Sequence, residues 1–421
     1  MLSRISAAVL GQDKRGKPRC YMQGRWLSRF GLLPGSKVRV SYQDGLVVVL
    51  LDDEGPRKVS GKGEVPVIDL TGEELGRALG QDGAALEIRA QSGRIVIRPS
   101  RVEEQKRRRV QNGLEGSLFS GGGLLTEAAK QAGFRPSFAV EIEPRYAEVF
   151  ESNHEGRMLN MSVHEVRAED VPQVELLTVG LCCEPFSKKR RVAGSGLPPE
   201  AHPNGDLVVW ALRAVEASNP WTVVVEQVPE FLDSGAGWIL RHALARMGYT
   251  VEARVLDPSD YGELAGRRRA VIVATNDHEV HWPEPEPHER RLGEILEDRD
   301  DHEWFDADSK AWLFNHWHKQ RDKGNRFFEG RQVLDAETKR VPCISKRYFA
   351  QQGDGVVVRH PEKPNTFRWL TLTEVKRLMG LTDDYELGTA KTKAGEILGQ
   401  GVQVQLFRKV IEANKNPHRR G

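Results

Sequence analysis

From residue 114 onward, short apolar runs alternate with amphipathic stretches. Gly116–Phe119, Phe138–Glu141, Leu176–Val179, Thr222–Glu226, Thr250–Leu256 and Ala270–Ala274 read as strands, and a helix is expected through Ala128 to Ala132. This rhythm predicts an α/β domain with a mostly parallel sheet, whose ligands sit at the carboxyl ends of the strands. Residues 24 to 100 have a different period. When the chain is slid against itself by 48 positions, Leu27 meets Leu75, Gly35 meets Gly83, Val38 meets Leu86, Val40 meets Ile88, Gly45 meets Gly93 and Val49 meets Ile97. Each copy predicts a short helix (Arg25 to Phe30, or Glu73 to Leu79), then two alternating strands joined at Asp44-Gly45 or Ser92-Gly93. One such unit cannot bury its apolar face alone, so the two are expected to pack as an α+β pseudo-dimer.

These patterns divide the chain into a repeat domain (1–100), a charged linker (101–113), an α/β domain (114–275 and 366–421) and an inserted segment (276–365). The insertion breaks the rhythm with Pro283, Pro285 and Pro287 and an aromatic cluster of Trp312, Phe314 and Trp317. With 62 Lys+Arg against 60 Asp+Glu, nucleic-acid binding would have to come from local basic patches, such as Arg25, Arg29, Lys37 and Arg39 in the repeat. The four cysteines, Cys20, Cys182, Cys183 and Cys343, show neither a Cys-x-x-Cys spacing nor a disulfide framework, so a reducing cytoplasm and no metal are expected. No apolar run approaches the roughly 18 residues that cross a bilayer, and no membrane association is expected.

Chemistry concentrates at the ends of the expected strands. Phe119-Ser120-Gly121-Gly122-Gly123 is a glycine-rich turn into a helix, and Glu141 closes the next strand about twenty residues on. That pairing suits a nucleotide-like cofactor without distinguishing a sulfonium compound from a dinucleotide. Cys182-Cys183 follow the third strand within Gly180-Leu-Cys-Cys-Glu-Pro-Phe-Ser187. Taken alone, they read as a buried apolar pair or as a nucleophile beside the basic run Lys188-Lys189-Arg190-Arg191.

Taken in order, Phe-Ser-Gly-Gly-Gly, Val140-Glu-Ile-Glu143, Cys-Cys-Glu-Pro-Phe-Ser, Glu226-Gln-Val228, Tyr261-Gly262 leading to Arg267-Arg-Arg269, and Gly399-Gln-Gly-Val402 resemble the motif series of the cytosine-5 DNA methyltransferases. The resemblance implies a Rossmann-like, S-adenosylmethionine-dependent methyltransferase domain, with residues 276–365 as a small target-recognition domain. It implies that Cys183 adds to carbon-6 of a flipped-out cytosine, that Glu226 meets the ring nitrogen and exocyclic amine, and that Arg267 and Arg269 hold the base and the catalytic loop. S-adenosyl-L-methionine would be bound by Phe119, Ser120, Gly121, Gly123, Glu141, Ile142, Ser162, Gln400 and Val402. Double-stranded DNA would be met by Ser187, Lys188, Arg190, Arg321, Lys323, Arg326, Lys346 and Arg347. Residues 1–100 resemble the swapped-hairpin fold of AbrB-like and SymE-like proteins, which implies DNA binding or dimerisation; the oligomeric state is left open.

The chain departs from the family pattern at several points. Ser117 and Ser162 stand where acids are expected, Cys182 replaces a proline, Glu184 a glutamine, Gln227 and Gln400 asparagines, and Ala265 a glutamine. These changes predict altered cofactor binding and a catalytic loop displaced by Gln227. The retained Cys183, Glu226, Arg267 and Arg269 favour an active enzyme methylating cytosine in DNA, with a methyltransferase-like scaffold that binds DNA without turnover, and action on RNA or on a modified pyrimidine, as the alternatives.

Overall fold

The computed structural model describes residues 4–187, 198–276, 278–286, 289–299, 301–324 and 331–415. The chain divides into two units, broadly up to Arg108 and from Arg109 onward.

In the first unit, a six-stranded antiparallel sheet runs in the order Arg4–Val9, Ala85–Gln91, Arg94–Pro99, Leu46–Leu51, Lys37–Gln43, Arg57–Lys58. A four-stranded sheet comprises Gly11–Gln12, Pro18–Gln23, Val65–Thr71 and Ser60–Lys62. The repeat is visible in the packing, because Val47 and Val49 of one hairpin and Ile95 and Ile97 of the other are all buried in a shared core. Outward positions do not repeat: Leu46 and Leu50 of the first copy correspond to Arg94 and Arg98 of the second. The first expected helix is reduced to the 3-10 turn Ser28–Phe30, whereas Glu73–Leu79 is helical as expected. A strand ends at Gln23 and Gly31 is left-handed, which leaves too few residues for a nucleated helix. The sequence pattern did not reveal strands Arg4–Val9, which pairs with Ala85–Gln91 of the second hairpin, or Pro18–Gln23 and Val65–Thr71, which pair with each other in the four-stranded sheet.

The expected linker is ordered. Ser100 Oγ caps helix Arg101–Arg107 by accepting from Glu103 N at 3.4 Å. Arg109 already belongs to the second unit, where its guanidinium is buried 3.7 Å over the Tyr249 ring.

The second unit is built on seven strands, β1 (Leu114–Leu118), β2 (Arg135–Glu141), β3 (Arg157–Asn160), β4 (Leu176–Gly180), β5 (Thr222–Gln227), β6 (Tyr249–Leu256) and β7 (Arg269–Asn276). Their order is β3-β2-β1-β4-β5-β7-β6. The first five are parallel to their neighbours, and β7 enters antiparallel between β5 and β6. Strand β3 escaped the sequence reading because only Leu159 of its four residues is buried. All six residues of β5 are buried, as befits a strand covered on both faces. The helices are α1 (Leu124–Gln131), α2 (Pro144–Asn153), α3 (Leu207–Ser218), α4 (Gly235–Arg246), α5 (Ala311–Asp322), α6 (Leu372–Leu378), α7 (Lys391–Gln400) and α8 (Val404–Ala413). Helix α8 packs with α1 in one cluster that includes Leu125, Ala128, Phe407 and Ile411.

Within the insertion, α5 lies with a small sheet of Phe305–Asp306, Thr366–Arg368, Val357–Arg359 and Val333–Leu334 over Leu313, Trp317, Val357 and Phe367. Thr366–Arg368 therefore belong to this layer, a few residues beyond the expected boundary. Among the described residues, no helix is long and apolar enough to cross a membrane, and no group of three or more His, Cys, Asp or Glu side chains could hold a metal ion.

Candidate active site

The glycine turn leaves β1 with Phe119, Gly121 and Gly123 at φ values of 54°, 55° and 88°, a left-handed region that suits the two glycines and strains the phenylalanine. Space enforces the other glycine as well. A Cβ on Gly122 would lie 2.5 Å from Ile397 of α7, and one on Gly123 would lie 2.5 Å from the His154 ring. Glu141 accepts from Gly121 N and from Glu143 N, both at 2.8 Å, so each carboxylate oxygen ties down backbone. Its burial pushes its carboxyl above the usual value. The Tyr385 hydroxyl donates to Gly122 O at 2.5 Å and lies 3.0 Å from His154 Nε2, which is left as the donor to it. Desolvation pulls His154 down to about 4, so it is neutral.

Around this turn, the Ser120 hydroxyl is buried without a partner, and Ile142 is 67 % exposed directly after Glu141. Gln400 Nε2 lies 3.3 Å from Tyr146 Oη, and Val402 is buried behind it. An unsatisfied hydroxyl, a buried carboxylate and an exposed aliphatic side chain fit a nucleoside carrying a polar tail. The Ser162 hydroxyl lies 2.9 Å from His164 Nδ1.

The cysteines follow β4, whose last residue Gly180 pairs in register with Glu226 of β5. Cys182 is half-buried and Cys183 is exposed, so the buried-pair reading does not hold. Phe186 N and Ser187 N both reach Cys183 O, at 3.1 and 3.0 Å, which closes the loop on the cysteine. Gln227 is bonded to this loop. Its Nε2 donates to Leu181 O at 3.2 Å and to Cys182 O at 3.0 Å, while its Oε1 accepts from Val228 N at 2.7 Å. The additional methylene spans the distance to the loop carbonyls, and this grip holds the turn where the family's proline is missing. Asn204 Nδ2 adds a contact to Cys182 Sγ at 3.6 Å.

The Cys183 thiol is raised above its ordinary value, first by desolvation and then by Glu226, with Arg269 and Arg267 acting in the opposite sense. Glu226 is 7 % exposed, and its Oε1 meets Arg269 Nε at 2.6 Å. Burial raises the Glu226 carboxyl despite Arg269 and Arg267. The two arginines have separate duties: Arg267 donates to Cys343 Sγ at 3.1 Å, Ile344 O at 3.5 Å and Gly399 O at 2.9 Å.

Of the expected nucleic-acid contacts, Lys188, Arg190 and Arg326 lie outside the described residues. Ser187 is half-buried in the catalytic loop, and Lys346 and Arg347 are exposed just after Ile344. Lys346 also lies close enough to pull the Cys182 thiol downward. Arg321 and Lys323 are exposed at the end of α5, where Arg321 Nη2 meets His318 Nδ1 at 2.9 Å.

Sequence reasoning missed three groups. Cys343 and the Tyr385–His154 pair come from distant segments with no local signal. Glu115 was legible, standing two residues before Ser117 and hence on the same face of β1. It is fully buried and accepts from Thr178 Oγ1 at 2.5 Å and Thr126 Oγ1 at 3.2 Å. Thr178 Oγ1 also lies 3.1 Å from Ser117 Oγ, and burial pushes the Glu115 carboxyl up to about 7.

Residues 115–416 match the family model of the C-5 cytosine-specific DNA methylases. The Type II methyltransferase M.NlaX of Neisseria lactamica is 27 % identical over 305 residues, covering 71 % of this chain and 95 % of that protein. M.NgoBI of Neisseria gonorrhoeae is 28 % identical over 71 % of this chain and 90 % of its own length. Among solved structures, the Dnmt2 methyltransferase of S. pombe superposes with a TM-score of 0.56 at 20 % identity, over 71 % of this chain and 96 % of that one, a likeness of fold.

Proposed function

The chain belongs to the C-5 cytosine-specific DNA methylase family, and from that membership we propose that it methylates carbon-5 of a cytosine turned out of duplex DNA, with Cys183, Glu226, Arg267 and Arg269 as its working residues. The observation that supports this most strongly is the register of Gly180 against Glu226, with the Cys183 thiol close enough to feel a buried carboxyl already gripped by Arg269.

The cofactor is S-adenosylmethionine, which supplies an electrophilic methyl group. Its binding is assigned to Phe119, Ser120, Gly121, Gly123, Glu141, Ile142, Gln400 and Val402. The unsatisfied Ser120 hydroxyl and exposed Ile142 support this assignment, whereas Ser162 is bound to His164. Cytosine carbon-5 is a weak nucleophile. Addition of the Cys183 sulfur at carbon-6 makes the ring an enamine that can accept a methyl group at carbon-5, and loss of the carbon-5 proton then expels the sulfur. Glu226 meets the ring nitrogen as charge develops there, and its burial, which raises the carboxyl against the pull of Arg269 and Arg267, favours its acting as a proton donor. Arg269 orients Glu226, and Arg267 ties the base side of the site to Gly399 on the cofactor side.

The inserted residues 276–365 are assigned to target recognition, with Lys346 close enough to act on the Cys182 thiol, and the first unit to a second DNA contact or to dimerisation. DNA carrying 5-fluorocytosine, incubated with the protein and S-adenosylmethionine, is expected to trap a covalent adduct. Absence of an adduct with wild type, or its persistence in Cys183→Ala, would overturn the mechanism.

A further inference from the structure

Arg267 is 3 % exposed, and among the described residues no carboxylate forms an ion pair with it. The nearby acid, Glu226, is engaged by Arg269. Two guanidiniums thus share one carboxylate in a setting where an uncompensated charge is costly. The group facing Arg267 is the Cys343 sulfur, 3.1 Å from Nη1, and the same guanidinium also holds Ile344 O and Gly399 O. Cys343 directly follows strand Val341–Pro342, which pairs in parallel with Ala265–Gly266, so the backbone fixes the sulfur beside the arginine pair.

We propose that the Cys343 sulfur, as an anion, is the counter-ion of Arg267 and thereby a positioning residue of the methyl-transfer site. The proposal rests on the cytosine-methylating reading of Cys183 and Glu226. The charge environment agrees with it: desolvation alone would raise the Cys343 thiol, but Arg267 and then Arg269 outweigh it and hold the thiol below its ordinary value. The charged and titratable groups facing this centre are Arg267, Arg269, Glu226 and Cys183, with Lys346 three residues along the chain.

The neutralised pair has a functional consequence. With the Cys343 anion in place, less of the Arg267 field falls on Glu226, which keeps its proton to higher pH for donation to the ring. Without that anion, both Glu226 and Cys183 ionise more readily, and the bell-shaped pH dependence of kcat moves as a whole to lower pH.

The test compares Cys343→Ser, which keeps a polar group without the charge, with Cys343→Asp, which restores an anion. Cys343→Ser is expected to move the bell by about one pH unit towards acid, with KM for DNA changed less than twofold. Cys343→Asp is expected to recover most of that shift. An unshifted bell in Cys343→Ser, or an aspartate variant no better than serine, overturns the proposal.

Iodoacetamide labelling of the wild-type protein, read at the Cys343 peptide by mass spectrometry across pH, decides the point independently of variant folding and of turnover. Half-labelling below the ordinary thiol range supports the counter-ion, and half-labelling at or above that range overturns it. A wild type that labels as expected but transfers no methyl group to cytosine would sink the functional reading alone.

Discussion

Arg269 Nε lies 2.6 Å from Glu226 Oε1 across two adjacent antiparallel strands, and both side chains are largely withdrawn from solvent. Removing Arg269 breaks a buried pair and leaves Glu226 with only the more distant Arg267 charge, at a cost of about 3 kcal/mol. Arg269→Ala is therefore expected to lower kcat by at least about a hundredfold, with a smaller loss for Arg269→Lys, which keeps the charge without the planar fork. Steady-state methylation of duplex DNA measures both, and equal rates for lysine and wild type would remove Arg269 from the orienting role.

Gln227→Asn restores the residue type usual in the family, yet is expected to impair this protein. The shorter side chain cannot keep both loop carbonyls, Leu181 O and Cys182 O, along with Val228 N. Losing one neutral hydrogen bond costs about 1 kcal/mol, or a kcat lower by about fivefold. Single-turnover kinetics check this, and a faster asparagine variant would show that the loop is not set by Gln227.

Glu115 imposes a pH dependence on stability. Its folded value near 7 lies above its unfolded value of 4.5, so the folded state binds the extra proton between them. Stability from this group falls as pH rises through that window, and the penalty of about 3 kcal/mol is fully present above pH 7. Glu115→Gln should flatten this slope and melt higher than wild type at pH 8, with little difference at pH 4.5. Parallel melting curves for the two proteins across pH 4.5–8 would refute the assignment.

Tyr385→Phe removes the hydroxyl that fixes Gly122 O and accepts from His154. About 1–3 kcal/mol of positioning is lost, and it should appear as weaker S-adenosylmethionine binding of about tenfold by titration calorimetry, with kcat at saturating cofactor within twofold. An unchanged cofactor Kd would separate this chain of hydrogen bonds from the glycine turn.

The architecture of the second unit was legible because parallel strands buried on both faces, such as Thr222–Gln227, leave continuous apolar runs. The antiparallel entry of β7 was not, since its run of alanines and valines is the same whichever way it points. In the site, local motifs placed Cys183, Glu226 and the glycine turn. What they could not supply was partnership over distance: Cys343 reaches Arg267 from 76 residues away, and Tyr385 reaches Gly122 from 263. The hold of Gln227 on its loop was hidden for a related reason, because its partners are carbonyls 45 and 46 residues earlier in the chain.

The packing of α8 on α1 has a consequence for synthesis. Helix α1, which carries the glycine turn, shares its core with Phe407, Val410 and Ile411, and Gln131 at its end accepts from Gln405 at 2.8 Å. While the chain is being made, residues 124–131 emerge nearly three hundred residues before their cover. Until α8 leaves the ribosome, the apolar side chains of α1 that share its core stay uncovered. Nascent chains stalled before residue 404 should therefore engage chaperones, with α8 as the latch that ends that dependence.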